Sequence, residues 1–299
     1  MKKTFELISV WLMATMLCCN LTACSSSDGD DNDDGTETSD KDGTGGFVDL
    51  GKRLVSIKCY QKHMYRDEYY LDSERRFEYD ESGRIVQEEF EDRFAAHDIT
   101  TYEYSAEKII KRYNNDVLYE YSLKDGRIVN ESYKGKAWLE FIYDGNKLIQ
   151  MKYVDDIDLG STIITWNGDN IASMEDYRGV ISTGRFLFGK VICTYSDIKY
   201  SKGWMSFDFI SEAITLDDIL YNQGYYGKCL PNLFSLLNHT HEINDESNKT
   251  TVEYAYSYEL NDGYVEKVYE KTDGYAGYYW EYTWEDILPV ENNKGTNRK

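Results

Sequence analysis

The side chains able to do chemistry in this 299-residue chain are six cysteines, four histidines and 54 carboxylates. Three cysteines, Cys59, Cys193 and Cys229, fall in the body of the chain, and their spacing matches no zinc ligand set. At most one disulfide can join them. Cys59 and Cys193 sit in apolar, strand-like runs, where a thiol behaves as a small buried hydrophobe. A Cys-His catalytic pair needs a positioned base, which no histidine supplies by sequence. His239 and His241 in "NHTHEI" would share one face of a strand, with Glu242 and Asp245 close by. Two imidazoles make half a metal site, and no third ligand stands at a diagnostic spacing, so a solvated loop is expected there. No Gly-x-Ser-x-Gly elbow, Walker loop or dinucleotide fingerprint occurs. No catalytic residue, metal or cofactor is therefore expected. A carboxylate pair of the glycoside-hydrolase kind is recognisable only by its separation in space.

The first 46 residues carry an address. Lys2 and Lys3 precede the apolar run Leu7 to Leu17, which has the length of a signal-peptide core and is too short to span a bilayer. "LTAC" follows and resembles a lipobox, which implies cleavage before Cys24 and acylation of that cysteine. Residues 1–23 are then the signal peptide, and Cys18 and Cys19 leave with it. Residues 25 to 46 hold eight acids against one lysine and no apolar side chain, the composition of a disordered tether. Asp30-x-Asn32-x-Asp34-Gly35 opens like an EF-hand loop, but position twelve is Lys41 and no helix flanks it. Acids directly behind the lipidated Cys resemble the export signal of Bacteroides-group surface lipoproteins. That resemblance implies an outer-membrane anchor facing the medium; a periplasm-facing anchor is the alternative. The rest of the chain has 45 acids and 30 bases, a net of −15. Such a body has no basic stripe for nucleic acid or for anionic lipid headgroups.

The elements that must position any site are hairpins. In "YEYSLKDGRIVNESY" (119 to 133), Tyr119, Tyr121 and Leu123 alternate onto one face, and Asp125-Gly126 tolerates the positive φ of a tight turn. The same grammar recurs in "FEYDESGRIVQEEF", "YEYSAEKIIKRY", "FIYDGNKLIQMKY", "ITWNGDNIASME" and, late in the chain, "YAYSYELNDGYVEKVYEK". Matching aliphatic positions Ile85, Ile109, Ile128, Leu148 and Ile171 are 24, 19, 20 and 23 residues apart, which suits a meander of unequal hairpins rather than a strict solenoid. Only two prolines interrupt the chain, and 28 tyrosines against 11 phenylalanines suit cross-strand packing on a half-wet surface. Residues 204 to 238 break the rhythm. Ile214, Leu216, Ile219 and Leu220, then Leu233, Leu236 and Leu237, lie at near-helical spacings, predicting one or two short helices within 210–238 that cap or plug the sheet. Trp204, Tyr225 and Tyr226 are the candidate ligand rim.

Lipobox, acidic tether, Tyr-x-Tyr hairpins, "GYYGK" with "LPNL", and the closing "YYWEYTWED" together resemble the domain-of-unknown-function lipoproteins of Bacteroides-type bacteria, described as porin-like in fold. The resemblance spans about residues 50 to 288 and implies no activity. "FEYDESGRIVQEEF" alone is similar to YD-repeat hairpins, whose shells need far longer arrays. The expected fold is all-β: an antiparallel up-and-down meander over 47–290, curled into a barrel or half-barrel that stands in water, with 291–299 a flexible tail. Strands that look shorter than the roughly 9 to 11 residues of a membrane-spanning strand support that reading. The expected function is a non-catalytic cell-surface binding module for a glycan or another envelope component, held to the membrane by its lipid. A carboxylate-pair hydrolase acting on glycans and a scaffold or adhesin subunit are the alternatives.

Overall fold

The computed structural model describes residues 51–287, apart from 64, 155–159, 181–183, 201–202, 205–215, 242–249 and 273–276. The signal peptide, Cys24, the tether and the C-terminal tail lie outside the described residues. Twelve strands come first: β1 (Lys52–Lys62), β2 (Tyr69–Tyr79), β3 (Ile85–Asp92), β4 (His97–Tyr104), β5 (Lys108–Tyr113), β6 (Asp116–Lys124), β7 (Arg127–Tyr133), β8 (Lys136–Asp144), β9 (Lys147–Tyr153), β10 (Ser161–Asn167), β11 (Asn170–Val180) and β12 (Gly184–Lys199). A short helix α1 (Asp218–Asn222) follows, then β13 (Asn232–His241), β14 (Thr250–Asn261), β15 (Tyr264–Thr272) and β16 (Tyr278–Asp286). Every strand pairs antiparallel with its neighbours in sequence, and β1 pairs with β16 from Lys52↔Asp286 to Gln61↔Tyr278, so the meander closes into a barrel without an edge.

Tight turns close hairpins at both ends: Asn114-Asn115 and Lys134-Gly135 at one, and at the other Asp125-Gly126, which take φ of 52° and 73° as a two-residue turn requires. At this end Ile85, Ile109, Ile128, Leu148 and Ile171 all face inward and are buried, which explains their recurrence. Above them runs a second repeated device. Tyr79, Tyr104, Tyr143, Tyr195 and Tyr258 each donate a hydroxyl hydrogen bond to a backbone carbonyl of the preceding hairpin, those of Leu54, Ile85, Ile128, Ile171 and Phe234. The indoles of Trp166 and Trp284 do the same to Leu148 and Val265. In these hairpins the last aromatic before the turn is thus a clamp between successive hairpins. β-bulges beside Tyr79, Tyr143, Trp166 and Tyr195 turn those strand ends inward. In β6 the clamp position is Leu123, and there the Ile128 N–H bonds instead to the carbonyl of Tyr225.

Tyr225 belongs to the segment around α1, which lies inside the barrel. Ile219, Leu220, Tyr221, Tyr226, Cys229 and Leu230 are buried against the inward faces of the wall. Gly227 is held at φ +86°, where a Cβ would come within 2.3 Å of the Asn146 carbonyl oxygen; the neighbouring Lys228 N–H bonds that oxygen at 2.7 Å. The helix expected within 210–238 is thus present as α1, but Leu233, Leu236 and Leu237 belong to β13. A spacing of three suits a helix and breaks the period of two of a strand, so it is pairing with β12 and β14 that makes this segment strand. "NHTHEI" is likewise strand through His241 rather than loop, with His239 buried.

The outer wall is charged. Arg112 pairs with Glu103 at 2.8 Å, Lys108 with Glu120 at 3.2 Å, Lys190 with Glu175 at 2.6 Å and Lys267 with Glu281 at 2.9 Å, while Arg76 reaches Glu74, Glu89 and Glu91. Each Lys or Arg at the lipid-facing midplane of a membrane barrel would cost about 2–4 kcal/mol. This wall therefore faces water. Strand length does not separate this barrel from a membrane-spanning one, because β1, β2 and β11 have 11 residues each and β12 has 16; the polarity of the outer face does.

Candidate functional site

Trp204, Tyr225 and Tyr226 are 4%, 8% and 1% exposed. Trp204 packs on Phe77, Tyr225 stacks on Tyr104, and Tyr226 lies against Phe141 and Tyr221. They join the internal segment to the wall and do not present a solvent-facing rim. Apolar rings next to glycines filled the gap between α1 and the barrel, a fate that sequence cannot separate from exposure.

What the internal segment does build is a polar cluster on its side facing the barrel end that carries the Asn114-Asn115 and Lys134-Gly135 turns. Asp217 caps α1, its Oδ1 accepting from the Leu220 N–H at 3.1 Å. Its Oδ2 accepts from Lys111 Nζ at 2.6 Å, Tyr102 OH at 3.1 Å and Tyr121 OH at 3.3 Å, and its backbone N–H donates to Tyr226 OH at 3.3 Å. Next to it Asp218 receives Arg75 Nη1 at 3.1 Å, and Arg75 also bonds Glu88. Burial by itself would lower the Lys111 ammonium, but the Asp217 carboxylate more than reverses this and holds it above its usual range. Tyr102 and Tyr121 are held well above the ordinary phenol range, first by burial and then by Asp217.

Glu131 faces the same space. It pairs with Tyr121 across β6–β7 and is 3% exposed. Burial and the nearby Asp217 charge push its carboxyl up to about 8, with Lys111 pulling the other way. Two residues along β7 and nearer the mouth, Tyr133 begins a run of rings. Tyr119 and Tyr133 are 5.2 Å apart, Tyr133 and Trp138 6.2 Å, and Trp138 and Tyr153 5.3 Å. Trp138 is the extra residue at a β-bulge between the β7 pairs Glu131 and Ser132, which re-aims its ring toward the inward-facing tyrosines. Tyr133 and Trp138 remain 36% and 39% exposed, so the strip reaches solvent at this end of the barrel, its mouth, rather than sitting in the core.

Farther round, His239 and His241 face inward with ring centroids 3.9 Å apart. Burial, then His241, lowers His239 to about 4, so it is neutral. Among the described residues no cluster of three His, Cys, Asp or Glu side chains is arranged to hold a metal. Cys59 and Cys193 are free thiols on β1 and β12, and burial pushes Cys193 up to about 12. Of the residues at the mouth, Tyr119 alone stands out in the sequence, and only as a strand residue. The one signal for Trp138 was a tryptophan two residues past the start of a strand, after Lys134-Gly135.

The family described as a domain of unknown function (DUF4595) with porin-like fold matches residues 77–290. A solved porin-like protein from Bacteroides uniformis is similar in fold at a TM-score of 0.55 and 16% identity, covering 78% of this chain and 98% of that one. Another, from Bacteroides vulgatus, has a TM-score of 0.49 and 10% identity, covering 78% of this chain and 100% of that one. No curated protein matches.

Proposed function

The chain belongs to the DUF4595 family of porin-like domains, and from that premise we propose that it is a cell-envelope lipoprotein whose barrel mouth binds a glycan or another envelope component without transforming it. The observation that carries the reading is the half-exposed strip Tyr119, Tyr133, Trp138 and Tyr153 at the rim of a concave, charged lumen. Flat apolar rings match the C–H faces of a pyranose, and a concavity with a few convergent polar groups is where ligands bind.

The hydrolase alternative would draw on Glu131 and Asp217. Asp217 already accepts from Lys111, two tyrosine hydroxyls and a backbone N–H. A carboxylate saturated in this way holds the internal segment in place and has no lone pair to offer a substrate, which favours binding over catalysis.

Glycan-array binding by the wild-type protein, lost in Tyr133→Ala combined with Trp138→Ala and retained when outer-wall Lys108 is changed to Ala, is the expected result. Both rings are partly exposed, so the double variant keeps the fold. Arrays that stay blank at high protein concentration, or that the double variant leaves unchanged, would remove the mouth from consideration.

A further inference from the structure

Building on the mouth as a binding site, we propose that Glu131 selects ligands carrying a protonated amine, accepting the ammonium at the lower end of the aromatic strip. Glu131 is the odd carboxylate of the lumen. Asp217 has Lys111, Glu88 and Asp218 share Arg75, Glu270 has Tyr256 and Thr272, and Asp176 has Arg178. Among the described residues the Glu131 carboxyl has neither a hydrogen-bond nor an ion-pair partner, although the residue is 3% exposed. A nearly buried carboxyl without a protein donor is costly, and the small solvent access that remains to it is open to a ligand that brings one.

The surroundings specify that donor. Register points Glu131 into the lumen, because it pairs with Tyr121, whose hydroxyl bonds Asp217 there. Tyr133, the next inward position on β7, lies about 7 Å nearer the mouth at the rise of an extended strand. A group entering past Tyr133 and Trp138 therefore meets Glu131 within the length of one sugar unit. The groups around the carboxyl are Lys111 from β5, Tyr119 and Tyr121 from β6, Asp217 before α1 and Tyr226 after it. Lys111 is already spent on Asp217. Counting Arg75 and Lys111 against Glu88, Glu131, Asp217 and Asp218, the cluster lacks positive charge. The faces of the mouth rings attract cations as well. An incoming ammonium supplies the positive charge that Lys111, held by Asp217, does not give to Glu131.

Titration calorimetry of the full chain at pH 6.5 with a glucosamine tetramer and its fully N-acetylated counterpart separates charge from sugar shape. The expected result is at least tenfold tighter binding of the amine tetramer, with Glu131→Gln abolishing the preference while its melting profile shows an intact fold. Equal or tighter binding of the acetylated tetramer, or a preference that survives in Glu131→Gln, overturns the amine selection and leaves the mouth standing as a glycan site. If neither tetramer binds, the selection and the glycan site fall together.

Discussion

A carboxyl folded away without a partner lowers stability wherever the unfolded chain would ionise it, and Glu131 makes this measurable. Its folded pKa, about 8, lies above the ordinary glutamate value of the unfolded chain. Between those two values the folded state holds the extra proton, so stability falls as pH rises through the interval and is level above it. At about 1.4 kcal/mol for each pKa unit the full loss is on the order of 5 kcal/mol. Glu131→Gln removes the titration. Its melting temperature should match wild type near pH 4.5, rise above it progressively toward pH 8, and hold a constant gain beyond. Melts across that range test this, and a gain independent of pH would refute it. Asp217, equally buried, shows the contrast: its lone pairs are all used, and it holds α1 in place. Nothing in "RIVNESY" distinguishes Glu131 from the outward-facing polar residues beside it, since only the absence of a partner sets it apart.

At the scale of elements, the Tyr-x-Tyr hairpin proves to be a unit of assembly. The first aromatic faces the lumen by alternation, as at Phe77, Tyr102 and Phe141. The second reaches back to the preceding hairpin, beside a bulge at Tyr79, Tyr143 and Tyr195 and without one at Tyr104. Tyr143→Phe keeps the ring and removes the hydroxyl that the Ile128 carbonyl accepts, and should cost about 1 kcal/mol. Tyr258→Phe lies across the barrel and should cost a similar amount, with the double variant near the sum. Urea unfolding with an unchanged m-value is the measurement; losses well below that sum would show the clamps to be incidental to packing. The alternation was legible in the sequence. The clamp was not, because a donor in one hairpin and an acceptor in another become neighbours only after both have folded.

For the whole molecule, a closed barrel with a charged outer wall does not enter a bilayer by that wall, so in the proposed lipoprotein any membrane attachment rests on Cys24. Two or more acyl chains give stable anchoring, at about 0.8 kcal/mol for each buried methylene. Cys24→Ser should release or mislocalise the protein. Neutralising Asp28, Asp30, Asp31, Asp33 and Asp34 should leave it lipidated but turned inward. Proteinase K on intact cells reads both: wild type is digested and the neutralised protein protected. If both are protected, the surface address is wrong and the ligand of the mouth belongs to the periplasm.

The sequence by itself determined the local units: hairpins with Asp-Gly and Gly-Asn turns, an aliphatic residue after each turn, alternating faces, and an acidic body with no basic stripe. These depend on residues a few positions apart, whose geometry the chain carries wherever it lies. Tertiary structure decided what depends on distant partners. Closure joins Lys52 to Asp286, and the spacing of Leu233, Leu236 and Leu237, compatible with a helix, became strand through pairing on both sides. Tyr225 and Tyr226 went inside because the lumen had room for α1, and Trp138 came to the mouth because a bulge turned it. Glu131 became a candidate site for the same reason: whether a carboxyl is alone depends on where every other charge in the barrel has found its partner.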